Sequence, residues 1–299
     1  MTARSDELPR RWPAEHVTTP REAYIWCERY ARRQDENFTV VSRFLPRKLR
    51  RHFFAVYAFC RYTDNLGDEA EGDRLALLDA WQSEFEDALA GNATRPLMVA
   101  LARTIERCQI PTDPFLRLIE ANRMDQRVTR FSTYDDLLEY CNYSATPVGQ
   151  MVLAVLGYHD AERIALSDAT CIGLQLANFW QDLSVDIEEG RVYLPQEDLA
   201  RFGCSEDQIV DARFDANFER LMRFEVQRAR DLFAQGSELE AKVDRKVRTD
   251  IRLFRLGGEA ILDAIEAAGY DTLSARPRVT RAAKARLALG NGVRIALGI

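Results

Sequence analysis

Apolar and polar residues follow the period of an α-helix along nearly the whole chain. Apolar positions recur every three or four residues, and no stretch of useful length shows the two-residue alternation of a strand. Proline and glycine residues divide this pattern into segments. We predict helices at 20–34, 47–69, 73–90, 96–109, 113–126, 133–157, 160–188, 205–237, 243–268 and 279–289. Pro147 should kink the sixth of these, because proline lacks an amide donor. The pattern predicts an all-α bundle.

The helix predicted over 47–69 carries a polar stripe on an otherwise apolar surface. Residues 53–60 include no charged side chain, so this part of the helix should be buried. Tyr57, Arg61, Asp64 and Asp68 are spaced so that they share one helix face. A buried charge must pair or bind a ligand. An ion pair from Arg61 would satisfy only one of the two aspartates, so we favour a bound ligand.

A second polar stripe lies in the helix predicted over 160–188. Asn178, Asp182 and Asp186 repeat every four residues, and Gln175 lies one turn earlier on nearly the same face. Arg191 follows Asp186 closely enough to join the same site. A guanidinium group binds phosphate oxygens through a planar fork, so this combination indicates a phosphate-bearing anion.

The two aspartate pairs together indicate metal binding. One Asp-x-x-x-Asp pair is usually a solvated helix face, since like charges four residues apart repel. Here each pair interrupts an apolar helix, and there are two of them. Carboxylate oxygens suit Mg²⁺ or Mn²⁺, above all when phosphate oxygens complete the coordination. We therefore predict that the two helices face each other across a cavity that holds a metal-bridged diphosphate.

These motifs carry a family resemblance. The segments concerned are 37–46, 57–69, 140–149, 175–186 and the Gly-Arg-x-Tyr-Leu-Pro sequence at 190–195. With them the chain resembles the squalene/phytoene synthase family, the head-to-head isoprenyl diphosphate synthases, over nearly its whole length. The resemblance implies one isoprenoid synthase-type helical domain with a central cavity at 21–290, after a loose arm at 1–20 and before a tail at 291–299. A chain of 299 residues can form one such core.

The resemblance also implies roles for individual residues. The magnesium ligands that it implies are Asp64, Asp68, Asn178, Asp182 and Asp186. The catalytic residues that it implies are Tyr57, Arg61, Asp64, Asp68, Asp182 and Asp186. The substrate-binding residues that it implies are Asn37, Phe38, Arg61, Asn142, Gln175, Gln181, Arg191 and Tyr193. The cofactor implied is Mg²⁺, with Mn²⁺ as a substitute, and the substrate is a prenyl diphosphate.

Departures from the family pattern favour one branch. Gln181 stands where phytoene and dehydrosqualene synthases usually have arginine, and Asn142 stands where they usually have tyrosine. Segments 36–38, 144–149 and 178–182 are similar to hydroxysqualene synthases of the bacterial hopanoid pathway, as are 257–262, 269–271 and 276–277. That branch converts presqualene diphosphate and water to hydroxysqualene.

Two alternatives stay open. The chain could be a first-step enzyme that condenses two isoprenyl diphosphates to presqualene diphosphate or a phytoene-type product. From a different class, the family includes non-catalytic homologues that act as assembly factors in mitochondria. The intact aspartate pairs argue against the second alternative, because a non-catalytic protein has no need to keep repelling carboxylates.

Composition and charge argue against several classes of function. Forty-one basic and 47 acidic residues give a net charge of −6, which argues against nucleic-acid binding. No apolar run approaches the roughly 18 residues of a membrane span, and no dinucleotide fingerprint or Cys-x-x-Cys pair occurs. We expect no NADPH and a cytoplasmic enzyme, with enzymes of the same pathway as candidate partners. Because the product is apolar, we also expect peripheral contact with the inner membrane, through an apolar patch near the cavity mouth.

Overall fold

The computed structural model of the protein describes residues 19–33 and 47–280. Its helices are α1 (Pro20–Arg33), α2 (Arg47–Asp68), α3 (Arg74–Leu89), α4 (Pro96–Cys108), α5 (Asp113–Met124), α6 (Tyr134–Ser144), α7 (Thr146–Leu156), α8 (Ala161–Glu188), α9 (Gln196–Phe202), α10 (Glu206–Val210), α11 (Ala216–Gly236), α12 (Leu239–Lys242) and α13 (Arg245–Ala267). Within these residues there is no strand, only an isolated bridge between Arg130 and Val192. The prediction of an all-α fold is confirmed.

The helix predicted at 133–157 is divided in two rather than kinked. The chain leaves helical geometry at Ala145, and Pro147 lies in the first turn of α7, where its missing amide costs nothing. At the other end, Thr133 and Asp136 form a capping box that fixes the start of α6. The break therefore comes before the proline.

The helix predicted at 205–237 is also divided. Asp215 accepts hydrogen bonds from the amides of Asn217 and Phe218, so α11 begins there as a separate helix after the short α10. The short helices α9 and α12 were not predicted, because four to seven residues are too few for a periodic pattern. The predicted helix at 279–289 lies almost wholly outside the described residues, as do the predicted N-terminal arm and C-terminal tail.

The described helices form three buried apolar clusters, and each of the two larger ones includes one aspartate-bearing helix. In the first, Phe59 of α2 packs against Phe85 and Phe115 with ring centroids 5.5 and 5.2 Å apart. In the second, Trp180 of α8 is fully buried among side chains of α6, α11 and α13. The two aspartate-bearing helices, α2 and α8, thus pack mainly in different apolar clusters.

None of the helices in the described ranges is both long enough and apolar enough to cross a bilayer. All six cysteines are free thiols, in agreement with the absence of a close Cys-x-x-Cys pair.

Candidate active site

The first aspartate pair lies where α2 packs closely against α5. Gly67 permits this approach, because a Cβ atom at that position would lie 2.2 Å from Oδ1 of Asn122. The Asn122 amide lies 3.5 Å from Oδ1 of Asp64, and Gln126 donates to the Gly67 carbonyl at 3.0 Å. Asn122, near the end of α5, and Gln126, just after it, therefore hold in place the face of α2 that carries Asp64.

Tyr57, Arg61 and Asp64 are half-buried, and Asp68 is exposed at the end of α2. They occupy one side of the helix, as the spacing predicts, while Val56, Phe59 and Tyr62 are buried.

The second aspartate pair lies on the half-buried face of α8. Arg276, in the segment after α13, donates to both oxygens of Asp182: Nε to Oδ1 at 2.5 Å and Nη2 to Oδ2 at 3.0 Å. The buried side chain of Gln181 donates to the Pro277 carbonyl at 2.8 Å. Because these bonds come from consecutive positions, the segment around 276–277 lies against the end of α8 that carries the motif.

Arg191 connects the two aspartate pairs. Gly190 has a φ of +77° just beyond α8, and the Arg191 amide then donates to the Asp186 carbonyl at 2.8 Å. This turn aims the Arg191 guanidinium at the other motif, with Nη2 3.9 Å from Oδ1 of Asp68. Arg191, in the turn that follows Asp186, therefore lies next to Asp68 of the other motif, although the two motifs are far apart in sequence.

Partial burial opposes ionisation of these aspartates, and at Asp186 the charge of Asp182 opposes it as well. Burial raises the pKa of Asp68 and of Asp182. Burial raises the pKa of Asp186 to about 7, with Asp182 and Glu189 acting in the same direction and Arg191 and Arg276 opposing. Such carboxylates are stabilised by a nearby cation.

Asp125 and Tyr140 belong to this neighbourhood, although the sequence did not single out Asp125. The Tyr140 hydroxyl donates to Oδ1 of Asp125 at 2.7 Å. Burial raises the pKa of Asp125 to about 6; the Tyr140 bond and Arg191 oppose the rise, and Asp68 adds to it. Asp125 follows Asn122 by three residues on α5, and that polar pair is the signal that could have revealed it. Arg276 appeared in the sequence only as part of a tail similarity.

The other residues predicted to bind substrate or metal differ in how buried they are. Tyr193 is buried and stacks on Phe179 at 3.8 Å between centroids. Gln175 is half-buried and Asn178 is exposed. Asn142 is exposed, and its backbone carbonyl accepts from Arg117 at 2.6 Å, so its substrate contact stays a prediction. Asn37 and Phe38 lie outside the described residues.

Magnesium ions at the two aspartate pairs would need further ligands. Across residues 19–33 and 47–280, no three acidic, histidine or cysteine side chains converge into one metal-binding group. Each pair offers two carboxylates, so the other ligands would be diphosphate oxygens and water, which Mg²⁺ commonly retains. The poorly solvated Asp186, beside Asp182, is the observation that supports a cation here.

Comparison with known proteins identifies the family. The family description "Squalene/phytoene synthase" matches residues 31–283. A 15-cis-phytoene synthase from Synechococcus elongatus is 32% identical over 286 residues, covering 91% of this chain and 92% of that protein. A 15-cis-phytoene synthase from Synechocystis is 33% identical, covering 91% of this chain and 86% of that protein.

Solved structures of two synthases are similar to this chain. Squalene synthase HpnC from Alicyclobacillus acidocaldarius is 50% identical, with a TM-score of 0.82, over 84% of this chain and 95% of that one. A dehydrosqualene synthase crystallised with a ligand has the same fold, with a TM-score of 0.84 at 23% identity, over 93% of this chain and 98% of that one. With two aspartate pairs brought to one site in an all-α fold, the chain belongs to the squalene/phytoene synthase family.

Proposed function

We propose that this protein converts presqualene diphosphate and water to hydroxysqualene and diphosphate, with magnesium as cofactor. The bond between carbon and the diphosphate oxygen breaks, and a bond from carbon to the water oxygen forms. The proton lost by the water leaves with the diphosphate or with solvent.

The observation that carries this proposal is the 50% identity to a squalene synthase, against 32–33% to the phytoene synthases. The higher similarity favours the C30 squalene series over the C40 phytoene series. The similarity of segments 144–149 and 178–182 to hydroxysqualene synthases then favours the water-terminated step.

The residues of the chain have distinct parts in this proposal. Asp64, Asp68, Asn178, Asp182 and Asp186 would hold the magnesium ions, which neutralise charge on the diphosphate and make it a better leaving group. Arg191 would bind the departing diphosphate, since its guanidinium already lies between the two motifs. Ionisation leaves a cyclopropylcarbinyl cation on the substrate, and Phe179 and Tyr193 form a stacked aromatic pair close to the site. Aromatic faces stabilise such cations by up to about 2 kcal/mol when water is excluded.

A second candidate function is the condensation of two isoprenyl diphosphates. A two-diphosphate enzyme needs more positive charge, and Gln181 lacks the charge that relatives place beside the second motif. However, Arg276 brings a guanidinium to Asp182 from the C-terminal side, so the positive charge is not missing from this site. Together with the names of the phytoene synthase relatives, this contact favours the second candidate.

A substrate comparison distinguishes the candidates. Purified protein with Mg²⁺ is incubated separately with farnesyl, geranylgeranyl and presqualene diphosphate, and the products are identified by mass spectrometry. Hydroxysqualene from presqualene diphosphate supports the proposal. Presqualene diphosphate or phytoene from the smaller substrates supports condensation, and no turnover of any substrate supports a non-catalytic homologue.

We further propose a cytoplasmic enzyme that needs no reductant and associates reversibly with the inner face of a membrane. The support is chemical: the product is an apolar C30 alcohol, and a neighbouring enzyme of the same pathway would receive it from the membrane.

A further inference from the structure

A large cleft lies at the opposite end of α2 from the aspartates. It has a volume of about 1160 Å³ and is formed by the first turns of α1 and α2 and the C-terminal ends of α4 and α7. Lys48 in its wall precedes Asp64 by 16 positions, or about 24 Å along a helix. None of the predicted active-site residues that the structure describes lines the cleft, so it is a separate feature.

Positive charge converges on this cleft. Lys48 and Arg51 reach it from α2, and Arg103 and Arg107 reach it from α4. Glu106 is the one carboxylate among the described residues of the wall, and it pairs with Arg103 at 3.3 Å. Among the described residues, Lys48, Arg51 and Arg107 form no ion pair. A protein with a net charge of −6 therefore presents three uncompensated cations in one concave surface.

The position of these charges is unfavourable for the helix itself. The first turn of α2 contains basic residues and no acidic residue. Cations at a helix N-terminus oppose the helix dipole, which favours anions there. A bound anion would be stabilised both by the side chains and by the helix terminus.

The inner wall is apolar and rigid. Leu49, Val155 and Leu156 line it. Two further lining residues, Tyr24 and His52, form a hydrogen-bonded triad with Thr104. His52 Nδ1 lies 2.9 Å from Oγ1 of Thr104, and the Tyr24 hydroxyl lies 3.3 Å from His52 Nδ1. This triad ties α1, α2 and α4 together, so the cations on α2 and α4 are held at fixed separation.

The surroundings of His52 show that the positive field reaches into the cleft. Burial lowers the pKa of His52, and the charges of Arg51 and Arg107 lower it further. Arg51 also lies over the Tyr24 ring at 5.7 Å, which holds its guanidinium against the wall. Arg51 on α2 and Arg107 on α4 thus both place positive charge near His52.

We propose that this cleft binds an amphiphile with a phosphate group, whose phosphate contacts Lys48, Arg51 and Arg107 and whose chain lies on Leu49, Val155 and Leu156. Two sources offer this chemistry: an anionic phospholipid of a membrane leaflet and a free isoprenyl diphosphate. Because the wall offers one carboxylate, already paired with Arg103, the phosphate is bound without a metal ion. Binding therefore persists in a chelator, unlike binding at the aspartate pairs.

The test uses the full chain in buffer containing a chelator. In one arm, co-sedimentation is measured with vesicles of phosphatidylcholine alone and of phosphatidylcholine mixed with phosphatidylglycerol. In the other arm, farnesyl diphosphate binding is measured by calorimetry. The variant is Arg51→Gln/Arg107→Gln. The matched control is Arg245→Gln/Lys246→Gln, which removes two exposed cations from the first turn of α13, outside the cleft. Thermal unfolding confirms that each variant is folded.

We expect chelator-resistant binding in at least one arm, and the arm identifies the source. The cleft variant should bind about 20–30-fold more weakly, since each basic side chain near an anionic leaflet contributes roughly a factor of five. The control should bind as the parent does. Binding in neither arm, or equal losses in the cleft variant and the control, would overturn the proposal.

Discussion

Arg276 donates to both carboxylate oxygens of Asp182, from Nε to Oδ1 at 2.5 Å and from Nη2 to Oδ2 at 3.0 Å. The arginine thus occupies both oxygens of a predicted magnesium ligand. A metal ion at Asp182 would share these oxygens with Arg276 and be repelled by its positive charge, so the arginine should weaken metal binding in the absence of substrate.

Replacing this arginine should strengthen metal binding in the absence of substrate. Because Arg276 is about half exposed, its pair with Asp182 is screened by solvent, and we expect Arg276→Gln to bind Mn²⁺ up to about fivefold more tightly. Calorimetric titration with Mn²⁺ measures this. Arg213→Gln, which removes an exposed pair with Asp211, is the control and should change nothing. Unchanged or weaker Mn²⁺ binding in Arg276→Gln would contradict competition.

Removing one charge from either aspartate pair should abolish most activity without unfolding the protein. We expect Asp64→Asn and Asp182→Asn each to lower turnover by about 10²–10³-fold, since each removes a charge that holds the cation beside the leaving group. Steady-state assays with Mg²⁺ and circular dichroism provide the two readouts.

Asp87→Asn is the control for these variants, because Asp87 is exposed on α3 outside the site. Excess chelator should stop the parent enzyme. Full turnover in chelator, or near-normal activity of Asp182→Asn, is the outcome that rules out the metal assignment.

A single methyl group at Gly67 should disturb the first aspartate pair. The new Cβ would lie 2.2 Å from Oδ1 of Asn122, so α2 and α5 must separate or Asn122 must turn away from Asp64. We expect Gly67→Ala to destabilise the fold by roughly 1–3 kcal/mol and to reduce turnover.

Gly257→Ala on α13 is the matched control for Gly67→Ala. Its Cβ would meet nothing within 4 Å, so it should be neutral or stabilising by up to about 1 kcal/mol. Urea unfolding measures both variants. If the two variants are equally stable, the close packing of α2 on α5 is not essential.

The buried Asp250 should make stability depend on pH. In the described part of the chain neither of its carboxylate oxygens has a hydrogen-bond partner, and burial raises its pKa to about 7. In the unfolded chain Asp250 loses its proton near pH 4. In the folded protein it keeps the proton up to about pH 7. The stabilising contribution is complete below pH 4 and is lost as the pH rises through 7.

Asp250→Asn isolates this effect. Relative to the parent, the variant should gain roughly 2–3 kcal/mol of unfolding free energy between pH 5 and pH 8. Urea unfolding at both pH values measures the gain, with exposed Asp207→Asn as the control. A constant difference between Asp250→Asn and the parent at the two pH values would show that Asp250 is ionised in the folded state.

Much of this site could be predicted from local sequence. Asp64 and Asp68 on one helix, and Asp182 and Asp186 on another, follow from helical periodicity alone. Arg276 could not be predicted, because its partner is 94 positions away in the chain and depends on how the last segment folds back. Asp125 was missed for a similar reason: its neighbour Tyr140 lies on α6, and Arg191 lies in the turn after α8. The sequence predicts a kink at Pro147, whereas one helix ends at Ser144 and the next begins at Thr146, because proline is favoured in the first turn of a helix.

Isotope labelling tests the central claim most directly. Presqualene diphosphate is incubated with the enzyme and Mg²⁺ in ¹⁸O-labelled water, and the alcohol is analysed by mass spectrometry. We predict hydroxysqualene that carries the label, with little turnover when farnesyl diphosphate is the only substrate. Accumulation of presqualene diphosphate from farnesyl diphosphate, or an alcohol without the label, would contradict the proposed reaction.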